Sequence, residues 1–199
     1  MLQWKTAKKI LTGILVINII AVIIYNRLLA VKIKIIKNEL NLALNDLTVF
    51  KQENKLEGMK CNLIFESLRL NDSYSYDNFN KKYTIIFLFR YKDCSNCISN
   101  VIARMNSIYF DEKSVLDIIS VCVDCDEANI AKIKGDLNIK SMLYMLSNYD
   151  KIKSYYGFFT TPILLFVNNK DKRICFAYLS KKVYFDGTGF FERVSNYQN

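Results

Sequence analysis

Two pairs of cysteines are the residues in this sequence that most directly indicate chemical reactivity. Cys94 and Cys97 stand two residues apart after an apolar run, and Cys122 and Cys125 repeat that spacing. Such a spacing suits a disulfide that opens and closes within one helical turn. The two pairs together resemble a four-thiolate zinc pattern, although the interval between them is long. Buried thiols without a chemical role would show the same letters, so the spacing alone leaves three interpretations open.

The composition excludes several other chemistries. The 199 residues contain no histidine, which removes Ser-His and Cys-His nucleophile pairs and His-ligated zinc or copper centres. Ile98 follows Cys97, so the first pair is not a c-type haem attachment site. No cofactor is implied.

The positive charge is concentrated near the N-terminus. The net charge is +9, and residues 1–58 supply +5 of it from nine basic and four acidic residues. The remaining 141 residues are only mildly basic and show no basic stripe or nucleic-acid motif. Anionic lipid is therefore the expected partner of this charge, and nucleic acid is not.

An apolar segment at residues 10–25 predicts a membrane anchor. It contains no charged residue, follows Lys5, Lys8 and Lys9, and could extend to Leu28 with its basic neighbours snorkelling. No Ala-x-Ala-like cleavage site and no acylated lipoprotein cysteine follow it. We expect residues 1–28 to be an uncleaved signal anchor in the bilayer. A short basic tail usually stays in the cytoplasm, which would place the rest of the chain on the extracytoplasmic side.

Residues 29–60 are expected to form a juxtamembrane helical spacer. Apolar residues at helical spacing, among them Ile36, Leu40, Leu44 and Leu47, make one stripe, and no Pro or Gly interrupts it before Gly58. A short dimer seam is the alternative, but fewer than three clean heptads are present.

From Cys61 onward the hydrophobic patterns alternate between strand and helix. Strands are predicted at 62–70, 83–91, 115–123, 142–146, 163–168 and 173–179, and helices at 97–110, 126–134, 148–156 and 187–197. A strand, helix and strand followed by a hairpin and a last helix indicate an α/β domain with a mixed central sheet, covering residues 61–199.

The order of these motifs resembles the thioredoxin fold. The carriers are "FLFRYKDCSNC", "IISVCVD" and "YYGFFTTPILLFVNNKDKRI", in which a strand leads into Cys-x-x-Cys and a Thr-Pro precedes a hairpin. The chain looks most like membrane-anchored thioredoxin-like proteins of the TlpA/ResA type. That resemblance implies a three-layer domain in which Pro162, the only proline, is cis and binds substrate together with Thr161.

The resemblance also implies a role for the first cysteine pair. Cys94 would attack a substrate disulfide and Cys97 would resolve the mixed disulfide. The helix N-terminus and the charges of Arg90 and Lys92 would favour the Cys94 thiolate, and Asp93 would oppose it. Asp93 also stands where the family usually has tryptophan, and Ser95-Asn96 replaces the usual dipeptide between the cysteines.

The function expected from these patterns is a membrane-anchored, extracytoplasmic thiol–disulfide oxidoreductase. Its partners would be exported protein thiols or disulfides and a membrane electron donor or acceptor. One alternative is a thioredoxin-like module that binds a partner without turnover. Another is a structural zinc domain that uses Cys94, Cys97, Cys122 and Cys125, because the strands ending at the two pairs are expected to be parallel neighbours. Cys61 and Cys175 are expected to be core thiols, and sequence does not decide whether they pair.

Overall fold

A mixed seven-stranded sheet lies at the centre of the fold in the computed structural model. The structure describes residues 2–67, 73–74, 79–93, 95–109, 116–146, 149–157, 160–179 and 187–198. The strands are β1 (Phe65–Ser67), β2 (Ser73–Tyr74), β3 (Tyr83–Phe89), β4 (Leu116–Cys122), β5 (Met142–Leu146), β6 (Ile163–Asn168) and β7 (Arg173–Leu179). The helices are α1 (Leu2–Leu56), α2 (Ser95–Tyr109), α3 (Glu127–Asp136), α4 (Tyr149–Tyr156) and α5 (Thr188–Gln198).

The strand order is β2-β1-β5-β4-β3-β6-β7. The three strands at its centre, β3, β4 and β5, pair in parallel, whereas β1, β6 and β7 join antiparallel to their neighbours. Parallel pairing requires a crossover connection, and α2 and α3 provide it after β3 and β4. The carboxyl ends of β3 and β4 therefore meet at one edge of the sheet.

The strand β3 is buried on both faces, as its continuous apolar run predicts. Ile85, Phe87 and Phe89 join the core that also contains residues of α2, α3 and α5. Ile86 and Leu88 join the opposite core, which contains residues of α4 and the end of α1. The α/β class and the three-layer arrangement with a mixed central sheet, both predicted from the sequence, are confirmed.

Helix α1 is continuous from Leu2 to Leu56 and so ends four residues before the predicted end of the spacer at residue 60. Its segment Gly13–Leu56 is, within the described residues, the one helix long and apolar enough to cross a membrane. The chain forms two compact units, Met1–Leu47 and Thr48–Asn199. The last turns of α1 belong to the second unit, where Leu56 is buried and Glu53 accepts a hydrogen bond from the Leu179 backbone N–H.

Several element boundaries differ from the sequence prediction. The strand predicted at 62–70 is observed only as β1, and residues 68–70 lie outside the described part of the chain. The short strand β2 was not predicted. Helix α2 begins at Ser95 rather than Cys97, so Cys97 lies in its first turn. Asp126 caps α3 from outside the helix, because its carboxylate accepts a hydrogen bond from the Asn129 N–H at 2.7 Å.

Candidate redox site

A tight turn joins the end of β3 to the first cysteine pair. The backbone N–H of Arg90 donates to Asp93 Oδ2 at 2.7 Å, and the N–H of Asp93 donates to the Arg90 carbonyl at 3.0 Å. Cys94 itself lies outside the described residues. Cys97 is half-buried in the first turn of α2, where the positive end of the helix dipole favours negative charge and no residue of that turn is acidic.

The lone proline reaches the same edge of the sheet. The Thr161–Pro162 peptide is cis, as the resemblance implied. Pro162 directly precedes β6, whose first residue, Ile163, pairs with Leu88 near the end of β3. The Thr-Pro segment therefore lies beside the point where β3 passes into the turn before Cys94.

Three side chains connect that turn to the Thr-Pro segment. Arg90 Nε donates to Thr161 Oγ1 at 2.7 Å, and Thr161 Oγ1 donates to Asp93 Oδ1 at 3.3 Å. Arg90 Nε also lies 3.5 Å from Asp93 Oδ1. We call Arg90, Asp93 and Thr161 the bridging triad.

The bridging triad changes the expected electrostatics of the site. The Asp93 side chain is only 7% exposed, so its carboxylate needs the charge and hydrogen bonds that Arg90 and Thr161 provide. Because Arg90 and Asp93 pair with each other, their effects on a nearby thiolate largely offset one another. The N-terminus of α2 and the charge of Lys92 still favour a thiolate at this site.

The second cysteine pair lies beside this turn. Cys122 is the last residue of β4 and pairs with Phe89, the last residue of β3. Beyond the strands, the N–H of Val123 donates to the Phe89 carbonyl at 2.9 Å. The N–H of Tyr91 donates to Asp124 Oδ1 at 3.3 Å. The prediction that the two strands are parallel neighbours with adjacent carboxyl ends is confirmed.

The sulfur atoms of Cys122 and Cys125 lie within bonding distance of each other. Their Cα atoms are 5.7 Å apart, which is inside the usual range for a disulfide. Cys122 is fully buried, and Cys125 is half-buried beside the same core. In the disulfide form these sulfurs are not thiolates, so they do not supply the ligands that the zinc alternative requires.

The cysteines expected to be core thiols lie on opposite faces of the sheet. Cys61 is buried in the core beside α4, whereas Cys175 packs against the core beside α2 and α5. That separation argues against a bond between them. Burial raises the pKa of the Cys175 thiol above its usual value, although a hydrogen bond with Tyr197 acts in the opposite direction.

Sequence reasoning missed the bridging triad and underrated the second cysteine pair. The sequence indicated Asp93 only as a charge opposed to the Cys94 thiolate. An Asp three residues after Arg90 is also a turn signature, which could have indicated its bond to the Arg90 N–H. Its link to Thr161 joins residues 68 positions apart, and no local pattern shows that.

Comparison with known structures identifies the fold. A thiol:disulfide interchange protein from Bacteroides sp. matches with a TM-score of 0.54 at 17% identity, over 71% of this chain and 89% of that one. The thioredoxin domain of a thiol-disulfide oxidoreductase from Bacteroides vulgatus matches with a TM-score of 0.54 at 18% identity, over 72% and 98%. A secreted disulfide oxidoreductase from Mycobacterium tuberculosis matches with a TM-score of 0.50 at 10% identity, over 72% and 98%. No protein-family model and no curated protein sequence matches the chain.

These comparisons and the site geometry define a thioredoxin-like domain. The structural neighbours are named as thiol–disulfide oxidoreductases and interchange proteins. At such low sequence identity, the similarity establishes the shared fold, and activity has to be argued from the residues of this chain.

The bridging triad predicts a specific loss of stability. Thr161→Val removes the hydroxyl that links Arg90 to Asp93, and we expect the free energy of unfolding to fall by ~1–2 kcal/mol because the buried carboxylate loses a partner. The matched control Thr161→Ser keeps the hydroxyl and should lose less. Urea unfolding followed by near-UV circular dichroism measures both, since the only tryptophan, Trp4, lies outside the domain. Equal losses in the two variants would contradict a role for the hydroxyl.

The raised pKa of Cys175 predicts slow alkylation. A thiol whose pKa is raised holds less thiolate at a given pH, and the thiolate is the reactive form. At about pH 8, near the usual pKa of a thiol, we expect iodoacetamide to modify Cys175 more slowly in the folded protein than in urea. The rate should rise with pH through a midpoint above that of the unfolded chain. Peptide mass spectrometry follows the reaction, and equal folded and unfolded rates would show the prediction to be wrong.

Proposed function

We propose that this protein is a membrane-anchored, extracytoplasmic thiol–disulfide oxidoreductase that acts on protein disulfides through Cys94 and Cys97. The thioredoxin-like fold supports this reading, because related folds named as oxidoreductases use the same arrangement of strands and helices. The position of Cys97 in the first turn of α2 supports it as well.

The observation that carries the proposal is the hydrogen bond between Arg90 Nε and Thr161 Oγ1 at 2.7 Å. It ties the turn that leads into Cys94 to the cis Thr161–Pro162 segment. A substrate strand that lies along this segment would have its disulfide next to the first cysteine pair. Backbone recognition of this kind accepts many sequences, which suits an enzyme with several protein substrates.

The proposed chemistry uses the two thiols in turn. Cys94 attacks one sulfur of a substrate disulfide as a thiolate, forms a mixed disulfide and releases the other substrate sulfur. Cys97 then attacks Cys94, which closes the Cys94–Cys97 disulfide and releases the reduced substrate. Two electrons pass to the substrate, so each cycle requires an electron donor to reopen the pair.

The N-terminal helix supports a location at the membrane. Its length and apolar composition allow it to span a bilayer, and residues 10–25 carry no charge. The large apolar side chains between Ile14 and Ile36 are exposed, as expected for lipid contact. A donor or acceptor in the same membrane would then regenerate the first pair, and exported proteins would be the substrates.

Turnover on a model disulfide tests the activity. We expect the purified protein to reduce a disulfide-containing protein substrate in the presence of a thiol donor. Cys94→Ser should abolish turnover, and Cys97→Ser should accumulate a mixed disulfide at Cys94. Cys175→Ser is the matched control and should retain turnover. A folded protein without turnover would favour the partner-binding module, and stoichiometric zinc that is lost on Cys122→Ser would favour the zinc domain.

The sidedness of the domain requires its own measurement. A reporter that is active only outside the cytoplasm, fused after Asn199, should be active in cells that make the protein. The matched control is the same fusion without residues 1–28, which should be inactive. A silent reporter on a membrane-bound full-length protein would place the domain in the cytoplasm and show that the proposed compartment is wrong. Because disulfides rarely persist in the cytosol, that result would also weaken the proposed disulfide chemistry.

A further inference from the structure

We propose that Cys122 and Cys125 form a second redox pair, which passes electrons to the Cys94–Cys97 disulfide. This inference rests on the proposed function, and it assigns a chemical role to a disulfide that the substrate reaction does not use. The second pair would act as an internal donor that reopens the first pair after each cycle.

The sheet register places the second pair beside the turn that leads into the first. Cys122 pairs with Phe89, and the segments that leave the two strands stay in contact through the Val123–Phe89 and Tyr91–Asp124 hydrogen bonds. Cys97 and Cys125 both pack against the core cluster that contains Cys122, on the same face of the sheet. Cys97 lies in the first turn of the helix that follows β3, and Cys122 ends β4, so both lie at the sheet edge where the two parallel strands end.

The exposure of the sulfurs fits an exchange between the pairs. Cys97 and Cys125 are each half-buried, whereas Cys122 is fully buried. Cys125 is thus the member of the second pair that another thiol or disulfide can reach. Cys122 is buried and bonded to Cys125, so it would serve as the resolving thiol of the second pair.

The charges around each pair set the direction of electron flow. The Asp124 carboxylate lies within 4.8 Å of both sulfurs of the second pair, and Asp126 already occupies the N-terminus of α3. Both features disfavour a thiolate there, as does the burial of Cys122. Cys97 lies in the first turn of α2, which holds no acidic residue, and the Asp93 carboxylate before it is paired with Arg90. A pair whose thiolate is stabilised is the better oxidant, so electrons should flow from the second pair to the first.

The exchange balances without a further reagent. Cys125, as a thiolate, attacks Cys97 in the Cys94–Cys97 disulfide, forms a Cys125–Cys97 bond and releases Cys94 as a thiolate. Cys122 then attacks Cys125, which closes the Cys122–Cys125 disulfide and releases Cys97. The first pair gains two electrons and two protons, and the second pair loses them. An external dithiol must later reduce the second pair.

A single oxidising equivalent tests the relay. The full-length protein in detergent is reduced with dithiothreitol, freed of reductant and given one molar equivalent of oxidised glutathione. Samples are quenched with acid and alkylated, and each disulfide is located by peptide mass spectrometry. We expect the Cys94–Cys97 disulfide to appear first and then to decay as Cys122–Cys125 forms, with the second pair favoured by at least about tenfold at the end.

The variant Cys94→Ser/Cys97→Ser separates a relay from direct oxidation. If the electrons pass through the first pair, formation of Cys122–Cys125 should slow by at least about tenfold in this variant. Cys175→Ser, which removes a thiol of the same core from β7, should leave the rate unchanged. The relay is overturned by an unchanged rate in the double variant, by a final disulfide that remains on Cys94–Cys97, or by a second pair that native dithiothreitol treatment cannot reduce.

Failure of the relay and failure of the proposed function give different results. Cys122→Ser/Cys125→Ser should still reduce a model disulfide when glutathione donates directly to the first pair. If wild type and this variant turn over equally but no exchange is seen, the relay is wrong and the oxidoreductase stands. If neither turns over, both proposals fail. Zinc bound by the reduced wild type at one equivalent, and lost in either double variant, would also overturn the relay.

Discussion

The parallel pairing of β3 with β4 is the constraint on which the site depends. Its register matches Phe89 with Cys122, so that both strands end at the same level of the sheet. A slip of one residue would move Cys122 to the other face and into the other core. The burial of β4 on both faces makes such a slip costly, because Ile118 and Cys122 would have to exchange places with Ile119 and Val121.

In the turn after β3 a charged group, Asp93, stands where the family that the sequence resembles would lead one to expect tryptophan. A large aromatic side chain holds its surroundings through contact area, whereas Asp93 holds them through directed bonds to Arg90 and Thr161. The bonds connect the turn before Cys94 directly to the segment that contains the cis peptide.

The sequence was sufficient for the fold because its long-range order rests on strong local patterns. The continuous apolar run of β3, the amphipathic α2 and the position of Pro162 all predict their elements correctly. The ends of the elements were harder to predict from the sequence. Ser95 and Asn96 belong to α2 ahead of Cys97, although neither residue has a marked helical preference. The two-residue strand β2 is too short for any periodicity to show.

The site was only partly predictable for a related physical reason. The position of the second cysteine pair beside the turn after β3 followed from the parallel strands, whose pattern is visible in the sequence. The bridging triad depends on side-chain directions at Arg90 and Thr161, which lie 71 positions apart. The bonding of Cys122 with Cys125 depends on how the chain bends after β4, where Val123 is still held by the Phe89 carbonyl.

The closeness of Cys122 and Cys125 along the chain also bears on how the domain responds to reduction. A disulfide stabilises a protein mainly by limiting the conformations of the unfolded chain, and a loop of about 15 residues gives ~3 kcal/mol. The residues here are separated by only 3 positions, so the bond restricts far less of the unfolded chain. Opening it therefore restores less entropy to the unfolded chain than opening a disulfide across a longer loop, so the domain, whose core includes Ile118 and Ile130, loses less stability.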